Sequence, residues 1–332
     1  MPLSIVGGNT KHFYGRTTRH EVISSSKLSG IISYEPTELV ITALAGTPLH
    51  EINKTLTAAR QMLPFEPPAF GDRATLGGVV ACGLSGPRRP YSGSVRDYIL
   101  GVKCLTGKGE VLTFGGQVMK NVAGYDVSRL MTGAMGTLGM LLEISLKVLP
   151  EPEYEISLYK KSGFDTALEN MNKWAGQSLP LSAACYDGTG LYIRLSGKRT
   201  AVESARIKLE MDVTSLEFWS QLREQQLDFF LEQERPMWRL SVPSNTPALE
   251  VAGSWLIDWG GAQRWLKSDE TPENIRTQAA LAGGHAVLFR NVRNENQVFH
   301  PLPPALLEIH KRLKHSFDPD RIFNRGRMYP EF

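Results

Sequence analysis

Residues 64–97, PFEPPAFGDRATLGGVVACGLSGPRRPYSGSVRD, decide how this chain is read. Gly77, Gly78, Gly83, Gly86 and Gly93 lack the Cβ that would hold a backbone away from a ligand, and Thr75, Ser85 and Ser94 bring hydroxyls that can bond phosphate oxygens. Glycine in such a stretch also suits turns, bulges and tight packing, so the segment needs support from elsewhere.

Two further segments give that support. LSIVGGNTKHFYGR, residues 3–16, runs an apolar strand into Gly7 and Gly8 and then offers Asn9, Thr10 and Lys11 where backbone amides can converge on an anion. Residues 115–150, GGQVMKNVAGYDVSRLMTGAMGTLGMLLEISLKVLP, contain a Gly-x-x-Gly turn at Gly136 and Gly139, with Leu141 opening the strand that follows. Glycine turns this widely spaced within one half of a chain point to one large ligand. No G-x-G-x-x-G opens a helix after a first strand and no G-x-x-x-x-G-K-[ST] occurs, so the dinucleotide-fold and P-loop readings lose their main support.

An early GG turn, a T-L-G-G turn and a G-T-L-G turn together resemble the FAD-binding domain of the vanillyl-alcohol oxidase, or PCMH, type. More narrowly, YEPTELVITALAGTPL, QMLPFEPP, ATLGGVVACGLSGPRRPYSGSVRD, GGQVMKNVAGYDVSRLM and LIDWGGAQRWLK resemble the FAD-binding subunit of bacterial glycolate oxidase over nearly the whole chain. The resemblance implies an α+β fold: a PCMH-type FAD-binding domain of two α+β subdomains in residues 1–150, a smaller antiparallel-sheet cap domain in residues 151–300, and a tail, residues 301–332, that returns to the first domain. Relatives carry a helical segment before the GG strand. Here only five residues after Met1 precede Gly7, so that helix is expected to be missing.

Bulk properties set the class. A chain of 332 residues is long enough for two cores, and a net charge of +3 is too slight to suggest nucleic acid. Cys82, Cys104 and Cys185 are odd in number and lack any C-x-x-C spacing, which fits free thiols in a reducing compartment and leaves no ferredoxin-type cluster. No leader-like start is visible, and Glu143 and Lys147 interrupt the most apolar run. A cytoplasmic protein is expected, with membrane contact peripheral at most, and no metal site.

Local patterns place the motifs. TPLHEINKTLTAARQM reads as a helix opened by Thr47, and DYILGVKCLTGKGEVLTFGG as a hairpin turning at Gly107–Gly109. From Tyr154 the order strand, helix, strand, strand, helix suggests an antiparallel sheet with helices on one face. In PALLEIHKRLKHSF, Leu306, Ile309, Leu313 and Phe317 share one helical stripe, a docking face. FDPDRIFNRGRMYPEF then resembles the family's closing motif, with Asn324 and Arg327 kept and Arg325 in place of a proline, which should loosen the turn.

The resemblance assigns FAD contacts to Gly7, Gly8, Asn9, Thr10 and Lys11; to Thr75, Leu76, Gly77 and Gly78, preceded by an extended Pro67–Pro68; to Gly83, Ser85, Gly86, Ser94 and Asp97; and to Gly136, Gly139, Leu141 and Asn324. Asn9 stands where some relatives place a flavin-linking histidine, so FAD is expected to be non-covalent. KNVAGYD holds Lys120, Asn121, Tyr125 and Asp126, with Tyr125 the nearest candidate for a base. Ala134 and Met135 replace the polar pair usual before G-T-L-G, and His285, His300, His310 and His315 form no substrate-binding cluster. The implied role is the FAD-carrying subunit of an assembly in which a second FAD-containing subunit oxidises a small 2-hydroxy acid, glycolate, to glyoxylate and an iron-sulfur subunit takes the electrons. Two rivals stand beside it: a stand-alone 2-hydroxy acid dehydrogenase, with Arg129 or Arg96 as carboxylate clamp, and a structural subunit that has lost FAD.

Overall fold

The structure, a computed structural model, describes residues 1–116, 126–291 and 298–332. The chain forms two compact units, one of Met1–Ser85, Gly93–Glu151 and Pro301–Phe332, the other of Gly86–Ser92 and Pro152–His300.

In the first unit a five-stranded antiparallel sheet has the order Ile31–Glu35, Val40–Leu44, Met140–Lys147, Ile99–Leu105, Val111–Gly115. The expected hairpin at Gly107–Gly109 joins the last two strands, with Leu105 opposite Val111. Ile41, Ala43, Ile144 and Leu146 alternate inward from the central strands and meet Leu49, Ile52 and Leu56 of the helix Leu49–Ala58. Thr47 does not cap that helix. Pro48 precedes it, and the Thr47 hydroxyl is spent on Leu44 O at 2.7 Å while accepting from the Gly30 amide at 3.0 Å.

A separate parallel pair, Leu3–Val6 with Glu21–Ser24, carries the early glycine turn. The tail adds to it, since Phe323 bridges Leu3 in parallel. The tail helix Pro304–Phe317 seats Leu313 and Phe317 on the first core, whereas Leu306 and Ile309 are exposed, so the expected apolar stripe docks along half its length. Its last turn buries Lys314 and Asp318 as an ion pair at 2.7 Å. The closing turn forms despite Arg325: Asn324 takes the left-handed φ of 43° and its carbonyl accepts from the Arg327 amide at 3.0 Å.

In the second unit an eight-stranded antiparallel sheet has the order Asp212–Thr214, Tyr154–Lys161, Gly190–Gly197, Leu181–Tyr186, Ser254–Asp258, Gln263–Lys267, Met237–Ser241, His285–Arg290. Helices Phe164–Ala175 and Arg199–Leu209 cover the face of Ile156, Leu158, Ile193 and Leu195. The opposite face is not bare, contrary to the one-faced layout read from the sequence. Trp219, on the helix Glu217–Glu224, donates its indole N–H to Ser157 Oγ at 2.9 Å, and Phe218 stacks on Tyr192 at 3.7 Å. Helix Pro272–Leu281 closes a further core around Trp238, Leu240 and Leu288.

Candidate functional site

The first unit holds a cavity of about 350 Å³, within the range of small-ligand sites. Its walls come from segments far apart in sequence: residues 4–12 with 17–25, the helix start at 75–82, the turn 131–141, and Asn324 with Arg327 from the tail.

The first wall follows from the glycine pair after the strand Leu3–Val6. A Cβ on Gly8 would lie 1.4 Å from the carbonyl oxygen of Arg73, so the loop could not pass there with any other residue. Asn9 then takes a left-handed φ of 59°. The buried Lys11 ammonium is held by the Ala69 carbonyl at 3.0 Å and by the Phe70 ring at 5.6 Å.

The second wall begins with Thr75, which caps the helix Leu76–Cys82 by accepting the Gly78 amide at 3.3 Å. As an acceptor the hydroxyl keeps its own proton to donate. Gly78 differs from the other glycines here, because a Cβ on it would meet only Thr75 Oγ1 within 4 Å, and so would project into the cavity. One helical turn on, Ala81 and Cys82 share that face. Burial pushes the Cys82 thiol up, while Lys11 and Arg327 pull it down.

The third wall places Met131, Ala134, Met135, Gly136, Gly139 and Leu141 along the cavity. Asn324 links it to the first, accepting the Ile5 amide at 2.7 Å and donating to Met135 O at 2.6 Å. Among the described residues no aspartate or glutamate lines the cavity, whereas Lys11 and Arg327 do. Its field therefore favours an anion.

Of the residues singled out in the sequence, the cavity gathers Gly7, Gly8, Asn9, Thr10, Lys11, Thr75, Gly77, Gly78, Gly136, Gly139, Leu141 and Asn324. Others lie outside the lining. Leu76 is core, and Pro67 and Pro68 are buried away from the lining. Gly83 ends its helix with a left-handed φ of 64°, and Ser85 Oγ accepts the Val95 amide at 3.2 Å. Ser94 and Asp97 form a capping box for the turn Val95–Tyr98, with the Ser94 amide donating to Asp97 at 2.7 Å. Gly86 belongs to the second unit, where its carbonyl accepts the Trp259 indole N–H at 3.0 Å.

Lys120, Asn121 and Tyr125 lie outside the described residues. Asp126 caps the turn Val127–Leu130 and pairs with Arg129 at 3.0 Å, so Arg129 is engaged locally, and neither it nor Arg96 lines the cavity. Sequence reading missed His12, Thr17, Thr18, His20, Ser25, Cys82 and Arg327 among the lining residues. Cys82 was within reach, since it stands four residues after Gly78 on the same helical face.

Residues 1–115 match the FAD binding domain family. Over 330 residues the chain is 49% identical to glycolate oxidase subunit GlcE of Escherichia coli (strain K12), covering 99% of this chain and 93% of that protein. The chain belongs to the GlcE family of glycolate oxidase subunits. A D-lactate dehydrogenase of Anaerostipes hadrus is 34% identical over 41% of this chain and 28% of its own length. Among solved structures, alkyldihydroxyacetonephosphate synthase superposes with a TM-score of 0.66 at 15% identity, covering 97% of this chain and 72% of that chain, a likeness of fold alone.

The α+β, PCMH-type reading therefore stands, with FAD as the cofactor of the fold. The residues present fit that group. Among the described residues the lining has no carboxylate and includes the cations Lys11 and Arg327, which suits a pyrophosphate, and Ala81, Met131, Ala134 and Leu141 offer apolar surface to a ring system.

Proposed function

We propose that this chain is the FAD-carrying subunit of a multi-subunit glycolate oxidase of the cytoplasm, in which glycolate becomes glyoxylate on a second FAD-containing subunit and an iron-sulfur subunit receives the electrons. The observation that carries the reading is the carboxylate-free cavity that the GlcE-family chain builds from its glycine turns and tail. FAD, when bound, supplies the hydride-accepting chemistry.

The chain's own residues hold and orient. Lys11 and the amides after Gly8 would face the pyrophosphate, Thr75 would donate its hydroxyl, and Met131, Met135 and Leu141 would exclude water from the ring. Binding is non-covalent in this reading. Asn9 offers no nucleophile, and burial pushes the Cys82 thiol up, which disfavours its thiolate. Among the described lining residues His12 and His20 are the side chains able to take a proton, and this reading assigns substrate oxidation to the partner. Membrane contact in this reading is peripheral and runs through the assembly, and no helix of the described residues is long and apolar enough to cross a membrane.

Two measurements test the proposal. Acid precipitation of the purified chain should release all its flavin, and yellow colour kept by the washed pellet would contradict non-covalent binding. Dye-linked glycolate oxidation should be negligible with the chain alone and robust after co-expression with the flavin and iron-sulfur subunits. Robust turnover by the isolated chain would favour a stand-alone dehydrogenase.

A further inference from the structure

The tail does more than close the fold. Leu3 donates its amide to Ile322 O at 2.6 Å and accepts the Asn324 amide at 2.9 Å, which sets residues 322–324 beside the first strand. Lys314 Nζ fixes the tail from below, donating to Thr137 O, Phe323 O and Asp318, each at 2.7 Å. The tail is thus anchored to the turn that forms the third cavity wall.

Beyond this anchor, the Arg327 guanidinium donates to the carbonyls of His12 at 2.8 Å, Tyr14 at 2.6 Å and Arg16 at 2.7 Å. Arg16 answers with its amide to Arg327 O at 2.9 Å and its side chain to Gly326 O at 2.8 Å. Residues 9–16 contain no strand or helix, yet they carry Asn9, Thr10 and Lys11 of the cavity. The packing is close: a Cβ on Gly15, whose φ is +98°, would come within 2.8 Å of the Met135 side chain and 3.2 Å of Arg327.

We propose that Arg327 is a latch, a positioning residue that holds loop 9–16 closed on the cavity and thereby sets how long the bound anionic dinucleotide stays. The planar fork of Arg327 spreads its donors over two nitrogens to reach carbonyls at 12, 14 and 16, whereas a lysine would present all of its donors from a single nitrogen and match that spread less well. Arg327 also lines the cavity, and an anion there adds a counter-charge to the latch. Ligand and latch therefore reinforce each other by the same factor. The identity of the ligand rests on the FAD reading, whereas the latch itself does not.

The test uses the full chain stripped of flavin, with Arg327→Lys, Arg327→Met and Gly15→Ala, the last attacking the latch from the loop side. Trypsin should cut after Arg16 and Arg19 about tenfold faster in Arg327→Met and Gly15→Ala, and by a smaller factor in Arg327→Lys, while cleavage within residues 152–291 keeps its rate. FAD dissociation, followed by flavin fluorescence, should quicken by a similar factor with association little changed. Unchanged loop cleavage, or acceleration equal at all sites, would overturn the latch. If the wild-type chain binds no FAD while loop cleavage behaves as stated, the latch holds and the assignment of its ligand falls.

Discussion

Both units bury cations within the fold, Lys314 on Asp318 in the first among them, but in the first unit Lys11 is put to another use. In the second unit Lys267, 1% exposed, gives its ammonium to the Glu232 carbonyl and carboxylate, and Arg264, equally buried, donates to the carbonyls of Thr246 and Pro247. Arg194 lies between Ser182 and Glu155. These charges are consumed by the fold that buries them. In the first unit Lys11 and Arg327 are held by carbonyls too, but they border a cavity with no carboxylate among its described residues. A buried cation marks a binding site where it borders an open cavity that supplies no counter-charge, and structure where the fold's own carbonyls or carboxylates enclose it.

The largest effect should come from closing the cavity itself. Gly78→Val places branched carbons where a Cβ would meet only Thr75 Oγ1, at 3.2 Å, so the Thr75 hydroxyl must give by a few tenths of an ångström while the ligand loses its space. FAD affinity should fall at least about a hundredfold, roughly 2.7 kcal/mol, as read by fluorescence titration. His285→Ala, on the outermost strand Met237 pairs with in the second unit, should leave flavin content unchanged. Equal loss in both variants would remove the functional difference between the units.

A second experiment exchanges the two lysines. Lys11→Met should weaken FAD about tenfold, less at high salt, with little change in thermal stability. Lys267→Met should leave affinity alone and cost about 1–3 kcal/mol of stability, because the Glu232 carbonyl loses its donor. A stability loss as large for Lys11→Met would make that residue a structural cation like its counterpart.

The same contrast explains what could be read in advance. Gly7, Gly8 and Gly78 were legible as cavity residues because a missing Cβ is recorded in the sequence and such loops leave few other uses for it. Gly83 and the Ser94–Asp97 box looked alike on paper, since helix ends and ligand loops select the same small and polar residues. For Gly86 the sequence could not show the partner of its carbonyl, Trp259, because it lies 173 residues away. The Arg327 fork on residues 12–16 joins positions more than 300 apart and has no local signature. Trp219 on the far face of the second sheet was hidden likewise, because strand alternation shows that a face is polar at Ser157 without showing what covers it.

The smallest effect concerns the acid limit of the second unit. The Glu232 carboxyl is pulled down to about 2 from its ordinary 4.5, chiefly by the hydrogen bond from Arg235 at 2.9 Å, which with the smaller pull of the Lys267 charge outweighs the opposing effect of burial. A folded-state value below the unfolded one means the unfolded chain binds more protons in between. The stabilisation from this group is therefore present above pH 4.5 and is lost as pH falls towards 2. Glu232 is partly open to solvent, which screens the pair and keeps its worth below about 1 kcal/mol. Denaturant titrations of wild type and Glu232→Gln should accordingly differ little at pH 7 and converge further as pH drops from 4.5 to 2, with no change in flavin affinity at neutral pH. Curves that diverge on acidification would show that Glu232 gains nothing from its cations, and Lys267 would then be held by carbonyls alone.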